Sequence, residues 1–292
     1  MIYSIRLTIT HAYDQPAANS RHIIRVLPRR LEGRQHVTLY TLSVYPQTDT
    51  RSEGTDFFGT ATLDCAHLAP HAQMSIELSC QVQMAAPTPW LDMSPDLPAL
   101  RAQWEACRDL GADAPVHFLG PTPRLSADNE IRDFAQGLAD PATSAAQTVI
   151  RLGKAIHDAM TFDNTATTVD TDAAEAFALR RGVCQDFSHI MILGLHALGI
   201  PACYVSGYLR TLPPPGGVKL AGADAMHAWV RAWCGTAQGW VEYDPTNATL
   251  VGTDHIVVGY GRDYADVSPM RGHLRASGGQ RNTQAVDVTV LR

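Results

Sequence analysis

The stretch RRGVCQDFSHIMILGLHALGIPACYVSGYL, residues 180–209, decides how the rest of the chain is read. Val183, Phe187, Ile190, Met191, Leu195 and Leu198 recur at helical spacing and cover most of a circumference. A helix that is apolar nearly all round sits at the centre of its domain. Gly199 followed by Pro201 ends it, and Gly182 lets the chain enter without a Cβ in the way. Cys184 therefore falls in the first turn, where unpaired N–H groups and the helix dipole favour negative charge. Such a place lowers the pKa of a thiol, and only the thiolate attacks. A free cysteine among apolar residues is ordinarily a core filler, so the catalytic reading requires a base and a group to orient it.

Two later segments supply those candidates. DAMHAWVRAWC (residues 224–234) alternates as a strand, with His227, Trp229, Arg231 and Trp233 on one side. GWVEYDPTN (239–247) places Trp240, Glu242 and Asp244 on one side. The short CGTAQG between them suits a hairpin. A turn centred on Gly235-Thr236 sets His227 directly opposite Asp244, where cross-strand Cβ atoms lie about 4.5–5.5 Å apart. The carboxylate then accepts from one imidazole nitrogen and leaves the other for a thiol. The competing reading makes His227 a half-buried strand residue and Asp244, before Pro245, the start of a turn.

Upstream, the chain reads as β structure. YSIRLTIT (3–10) puts Ile5, Leu7 and Ile9 on one face, HIIRVLP (22–28) is a short apolar run, and HVTLYTLSVYP (36–46) alternates again. MSIELSCQVQM (74–84) carries Ile76, Leu78, Cys80 and Val82 on one side. Strands of this kind with turn residues between them predict a small antiparallel sandwich. AAPTPWLDMSPDLPAL (85–100), with four prolines, is a linker or wrapping segment. Helical periods follow in 97–111, 126–140 and 141–160, the second with Ser126 as the expected N-cap. Strands return after residue 200. The order β, α, β predicts an α+β chain: an N-terminal β domain (1–90), a linker and helical segment (91–142), and a core with a C-terminal extension (143–292).

Composition narrows the function. Across 292 residues, hydrophobic types make up 45% and charged types 18%, as in a folded globular protein. A net charge of −6 argues against nucleic acid as partner, the basic bunch at Arg29, Arg30 and Arg34 being too short to reverse it. The N-terminus alternates instead of forming a signal-peptide core, and no apolar run is long enough for a membrane span. Six cysteines without a C-x-x-C pair imply reduced thiols in a cytoplasm. His189 and His196 have no ligand partner at metal-site spacing and read as packing or surface groups. Without a D-x-D-x-D-G loop, calcium is not indicated. No metal or cofactor is expected.

Taken together, residues 180–209, 224–234 and 239–247 resemble the bacterial transglutaminase-like proteins, a branch of the papain-like cysteine enzymes. VVGYGRDYADVSPMRG (257–272) is similar to the segment that follows the core in that group. The β region with TDFFG (55–59) is similar to the domain that precedes it. The resemblance implies a transglutaminase-like (papain-like) core, its central helix packed on an antiparallel sheet, behind an N-terminal β-sandwich-like domain. It implies Cys184 as nucleophile, His227 as base and then acid, and Asp244 as orienter.

The chemistry so implied is acyl transfer from an amide through a thioester, on a peptide or protein substrate. The Cys184 N–H is one oxyanion donor, and Tyr204 or Trp229 is a candidate for the second. Tyr264 and Asp266 are candidates for the cleft wall or for a turn cap. Hydrolysis is favoured; cross-linking of glutamine side chains and a non-catalytic peptide-binding module are the alternatives. The oligomeric state is not legible from the sequence.

Overall fold

The computed structural model describes residues 1–86, 90–211 and 224–291, so the prolines at 87 and 89 of the expected linker lie outside the described residues. The N-terminal part runs β1 (Ile2–Ile24), β2 (Gln35–Tyr45), β3 (Thr50–Thr55), β4 (Ala61–His67) and β5 (His71–Met84). β1 governs its shape. Its first half lies between β5 and a strand from the far C-terminus, and the ladder is interrupted between Ala12 and Ala17. Past that irregularity, its second half pairs with β4 and with another C-terminal strand. One long strand thus runs through a single seven-stranded antiparallel sheet, in the order β2-β5-β1-β4-β3 with two C-terminal strands also on β1, and bends at the irregularity. The alternation read in β1 and β5 is the buried face: Ile5, Leu7, Ile9, Ile76, Leu78, Cys80 and Val82 are all buried.

After the N-terminal strands come α1 (Leu97–Ala106), a 3-10 turn (Pro115–Phe118), α2 (Asn129–Leu138) and α3 (Ala145–Ala159). The N-cap of α2 is Asp128, whose carboxylate accepts from the Ile131 N–H, two residues after the expected Ser126. There follow β6 (Thr161–Phe162), α4 (Ala173–Leu179), β7 (Arg181–Gly182) and α5 (Cys184–Ala197). The remainder is β8 (Ala202–Leu209), β9 (Ala225–Trp233), β10 (Trp240–Asp244), β11 (Thr249–Leu250), β12 (His255–Gly261), α6 (Tyr264–Val267), β13 (Met270–Arg275) and β14 (Gln280–Val290).

A five-stranded antiparallel sheet in the order β11-β10-β9-β8-β12 forms the core. α5 packs on β8 and β9, with α2, α3 and α4 around it. Every residue from Gln185 to Leu195 is buried, as an all-round apolar helix requires. The opposite side of the sheet is covered as well. Tyr208, Ile256 and Val258 join the hydrophobic core of the N-terminal strands, and this explains why β8 and β12 are buried on both faces.

The C-terminal stretch departs from the expected extension of the core. β13 and β14 return to β1, so the N-terminal sheet is completed by both ends of the chain. Without β14, the edge of β1 from Tyr3 to Tyr13 would carry an open row of N–H and C=O groups.

The hairpin register also differs. Trp240 faces Trp233 and Tyr243 faces Val230, so continuing the ladder puts Asp244 level with Trp229 rather than with His227. The reason is the loop. Cys234 N–H donates to the Gly239 carbonyl, and the left-handed Gly235 (φ 98°) and Gly239 (φ 69°) flank the turn. The turn therefore centres one residue later than Gly235-Thr236, which moves every partner by two. An even shift preserves the alternation, so His227 and Asp244 stay on the same side as diagonal neighbours.

Candidate active site

Cys184 is the first residue of α5 and is partly exposed. The helix N-terminus is organised by Asp186. Its carboxylate reaches back to the Val183 N–H at 2.7 Å and accepts from the Thr167 hydroxyl at 2.7 Å. Burial raises its carboxyl above the ordinary value, and those two hydrogen bonds work against the rise. Gly182 is needed here because a Cβ at this position would lie 2.4 Å from the Asp186 carboxylate and 2.8 Å from its Cβ. Gly182→Ala is expected to displace Asp186 and cost about 1–2 kcal/mol of stability. A thermal melt checks this, and an unchanged melting temperature would mean that Asp186 does not hold the turn.

His227, in β9, is 10% exposed, and Asp244, at the end of β10, is fully buried. His227 Nε2 sits 2.7 Å from Asp244 Oδ2, and the Cys184 side chain acts electrostatically on the same imidazole. Burial disfavours the charged ring. The hydrogen bond to Asp244, the interaction with Cys184 and the charges on both outweigh that, pushing the imidazole up to about 10. Asp244 has the reverse balance: burial favours the neutral acid, but donors on both oxygens hold the carboxyl well below the usual range. Oδ1 accepts from the backbone N–H of Thr246 at 2.9 Å and of Asn247 at 3.2 Å. Oδ2 accepts from His227, from Asn247 Nδ2 at 2.7 Å and from His255 Nε2 at 3.1 Å. Asp244 thus both begins a turn and faces the imidazole, one oxygen for each task.

The structure separates the other candidates. Tyr204 is buried against His189 (ring centroids 5.1 Å) and Tyr264 (6.2 Å). Burial drives its phenol well above the ordinary value, and the charge of Cys184 contributes to the rise. Tyr264 also feels the charge of Cys184 and lies beneath the Arg124 guanidinium at 5.6 Å. Trp229 does not fit as an oxyanion donor: its single indole N–H is committed to Glu242 Oε2 at 2.8 Å in a fully buried setting. Asp266 is engaged elsewhere. It is bound by Arg262 at 2.8 and 3.0 Å and lines a separate cavity of ≈ 460 Å³ with Arg25, Asp56 and Phe58.

Three contributors were not among the candidates. His189 accepts the Tyr264 N–H at 3.2 Å, and its burial brings the ring down to about 4, in keeping with an acceptor. Asn247 stands just past the Asx turn that Asp244 closes on the Thr246 N–H, a turn the Asp-Pro sequence made readable. His255 carried none, since it comes from β12. The donor atoms of His227, Asp244 and His255 lie within 4.8 Å of one another, a span a metal ion could bridge. Their separations of 2.7 and 3.1 Å are those of hydrogen bonds. Among the described residues, no helix is long and apolar enough to cross a membrane.

Comparison with known proteins gives two family matches. Residues 132–245 match the transglutaminase-like superfamily, and residues 3–83 match the bacterial transglutaminase-like N-terminal region. An uncharacterized protein of Mycobacterium tuberculosis is 36% identical over 263 residues, spanning 88% of this chain and 82% of that protein. One from Mycobacterium leprae is 28% identical over 292 residues, spanning 98% and 99%. Among solved structures, a "putative cysteine protease" from Cytophaga hutchinsonii shares the fold with a TM-score of 0.75 at 23% identity, covering 100% of this chain and 91% of that one.

Proposed function

The chain belongs to the transglutaminase-like superfamily, and from that premise we propose that it is a cysteine-dependent acyl-transfer enzyme that hydrolyses an amide bond of a peptide-type substrate. The observation that carries the reading is a single imidazole, His227, hydrogen-bonded to a buried carboxylate and raised to about 10 by that bond together with its interaction with Cys184. In the mechanism, Cys184 gives its proton to His227 and its sulfur attacks the amide carbonyl. The Cys184 N–H, too early in α5 for an intrahelical acceptor, receives the developing oxyanion. The Tyr204 hydroxyl is the candidate second donor. His227 then passes its proton to the departing amine, and a thioester is left on Cys184. Asp244 keeps the ring aligned throughout and balances its charge.

Water reaches a partly exposed cysteine without any opening of the fold, which favours hydrolysis over transfer to an amine. Six free cysteines fit a reducing cytoplasm. Selective chemistry at one thiol also fits the burial of others. Burial pushes Cys65 up to about 11, Cys80 and Cys203 up to about 12, and Cys234 upward as well.

The test is intact-protein mass spectrometry after incubation with pools of glutamine-containing and isopeptide-containing peptides. A transient acyl mass on Cys184, absent from Cys184→Ser, with cleaved or deamidated peptide as product, supports hydrolysis. Amine incorporation would assign cross-linking instead. No acyl adduct with any pool, together with equal slow labelling of all six thiols in the native protein, would leave the fold as a non-catalytic binding module.

A further inference from the structure

His255 opens β12, is 5% exposed, and takes no part in the mechanism above. Its Nε2 lies 3.1 Å from Asp244 Oδ2, the same oxygen that His227 Nε2 holds at 2.7 Å. The Gly252 N–H donates to His255 Nδ1 at 3.4 Å. With Nδ1 accepting, the ring carries its proton on Nε2 and donates to the carboxylate. The imidazole meets the Trp229 indole edge-on, centroids 5.2 Å apart at 79°. Its neighbour Asp254 is bound by Arg210 Nε at 2.7 Å and by the hydroxyl of Tyr3, in β1, at 2.7 Å. β12 and β10 are separated in the sheet by β9 and β8, so the contact closes across the curl of the sheet. A path of direct contacts therefore runs from the N-terminal strand through Asp254 and His255 to the carboxylate.

We propose that His255 is a positioning residue of the catalytic centre, its Nε2–H holding the Asp244 carboxylate in the orientation that His227 requires. The inference rests on the Cys184–His227–Asp244 reading. A fully buried carboxylate keeps its charge and its plane only through its donors. The two backbone donors fix Oδ1, whereas Oδ2 is held by side chains alone. Losing His255 frees that oxygen to turn away from His227. The imidazolium is then less well supported and gives up its proton at a lower pH. The groups facing His227 from the elements packed around it are Cys184 on α5, Asp244 on β10 and His255 on β12.

The measurement is the pH profile of Cys184 alkylation by iodoacetate on the full chain. The carboxylate of this reagent is drawn to the imidazolium, so the rate falls at high pH as His227 deprotonates. His255→Ala is expected to alkylate about tenfold more slowly at neutral pH, with its high-pH limb moved to lower pH. His255→Gln places an amide N–H near the original Nε2 and is expected to restore both. Two results overturn the proposal: an unaltered profile in His255→Ala, or equal impairment in the Ala and Gln variants. Should the Ala variant fail to fold, the Gln profile decides alone, support coming from the wild-type limb and refutation from its loss. If His227→Ala itself left the profile unchanged, the triad reading would fall; an effect of His227 with none of His255 removes only this inference.

Discussion

Replacing His227 with Ala is expected to slow iodoacetamide alkylation of Cys184 about 100-fold at pH 6. A solvated thiol is almost wholly protonated at that pH, so a fast reaction requires a cation held beside the sulfur. His227 qualifies because its hydrogen bond to Asp244 and its interactions with Cys184 and the neighbouring charges overcome its burial and raise the imidazole to about 10. The wild-type rate should change little around neutrality, whereas in the variant it should climb about tenfold per pH unit until the free thiol has ionised. Stopped-time alkylation with peptide mapping reads the rate at Cys184 separately from the five other cysteines. A variant as fast as wild type at pH 6 would show that His227 does not activate the thiol. The same shift affects stability. Because the folded value lies above the ordinary 6.5, the contribution of the imidazolium is complete below about pH 6.5 and is lost as pH rises towards about 10. Alkaline titration should therefore destabilise wild type more than His227→Ala.

The second large effect lies away from the cysteine. Glu242 is a buried carboxylate held by Arg34 at 2.5 and 3.0 Å, by Trp229 Nε1 at 2.8 Å and by the Tyr260 hydroxyl at 3.1 Å. Burial favours its neutral form, but the charge and hydrogen bonds of Arg34, the charge of Arg231 and the indole N–H bring it down to about 2. Arg34 comes from the segment between β1 and β2, so this pair fastens the N-terminal domain to the core sheet. Arg34→Ala leaves the carboxylate without its main partner and is expected to cost about 3 kcal/mol, at the low end for a buried pair because the Arg34 side chain is 37% exposed. Urea denaturation checks the value. Adding Glu242→Gln to Arg34→Ala should recover part of the loss, since no charge is then stranded. The sign of the pH effect follows from a depressed folded value. The stabilisation is present above about pH 4.5 and is lost as pH falls towards about 2, so the gap between wild type and Arg34→Ala should close across that window. A gap independent of pH would mean that Arg34 acts through packing alone.

These two sites differ in how far they could be read from the sequence. Cys184 stands at the start of a helix whose apolar residues run all the way round, and Ile5, Leu7, Ile76 and Leu78 mark buried strand faces by simple alternation. Such signals are local, because a helix or strand face is set by residues a few positions apart. Even the pairing of His227 with Asp244 was approachable, since a hairpin needs only its turn to be placed, and a two-residue error leaves both side chains on one side. Start positions were less legible. Asp128 rather than Ser126 caps α2, since both residues are competent caps and packing of Ile131 and Ala135 selects between them.

What only the tertiary structure decided are the contacts that join distant segments. β13 and β14 pair with β1 because its edges need partners, yet nothing in residues 270–290 names β1 as that partner. Arg34, one of a short basic bunch, turns out to neutralise Glu242. Trp229 looked like a free donor and is spent on the same carboxylate. His255 meets Asp244 only because the sheet curls far enough to bring β12 round to the end of β10. By itself, then, the sequence determined the central helix, the strand faces and the residue types offered to the site. The partners of the buried charges were settled by closure of the sheets, because periodicity encodes which face a side chain takes and carries no information about which remote strand will cover it.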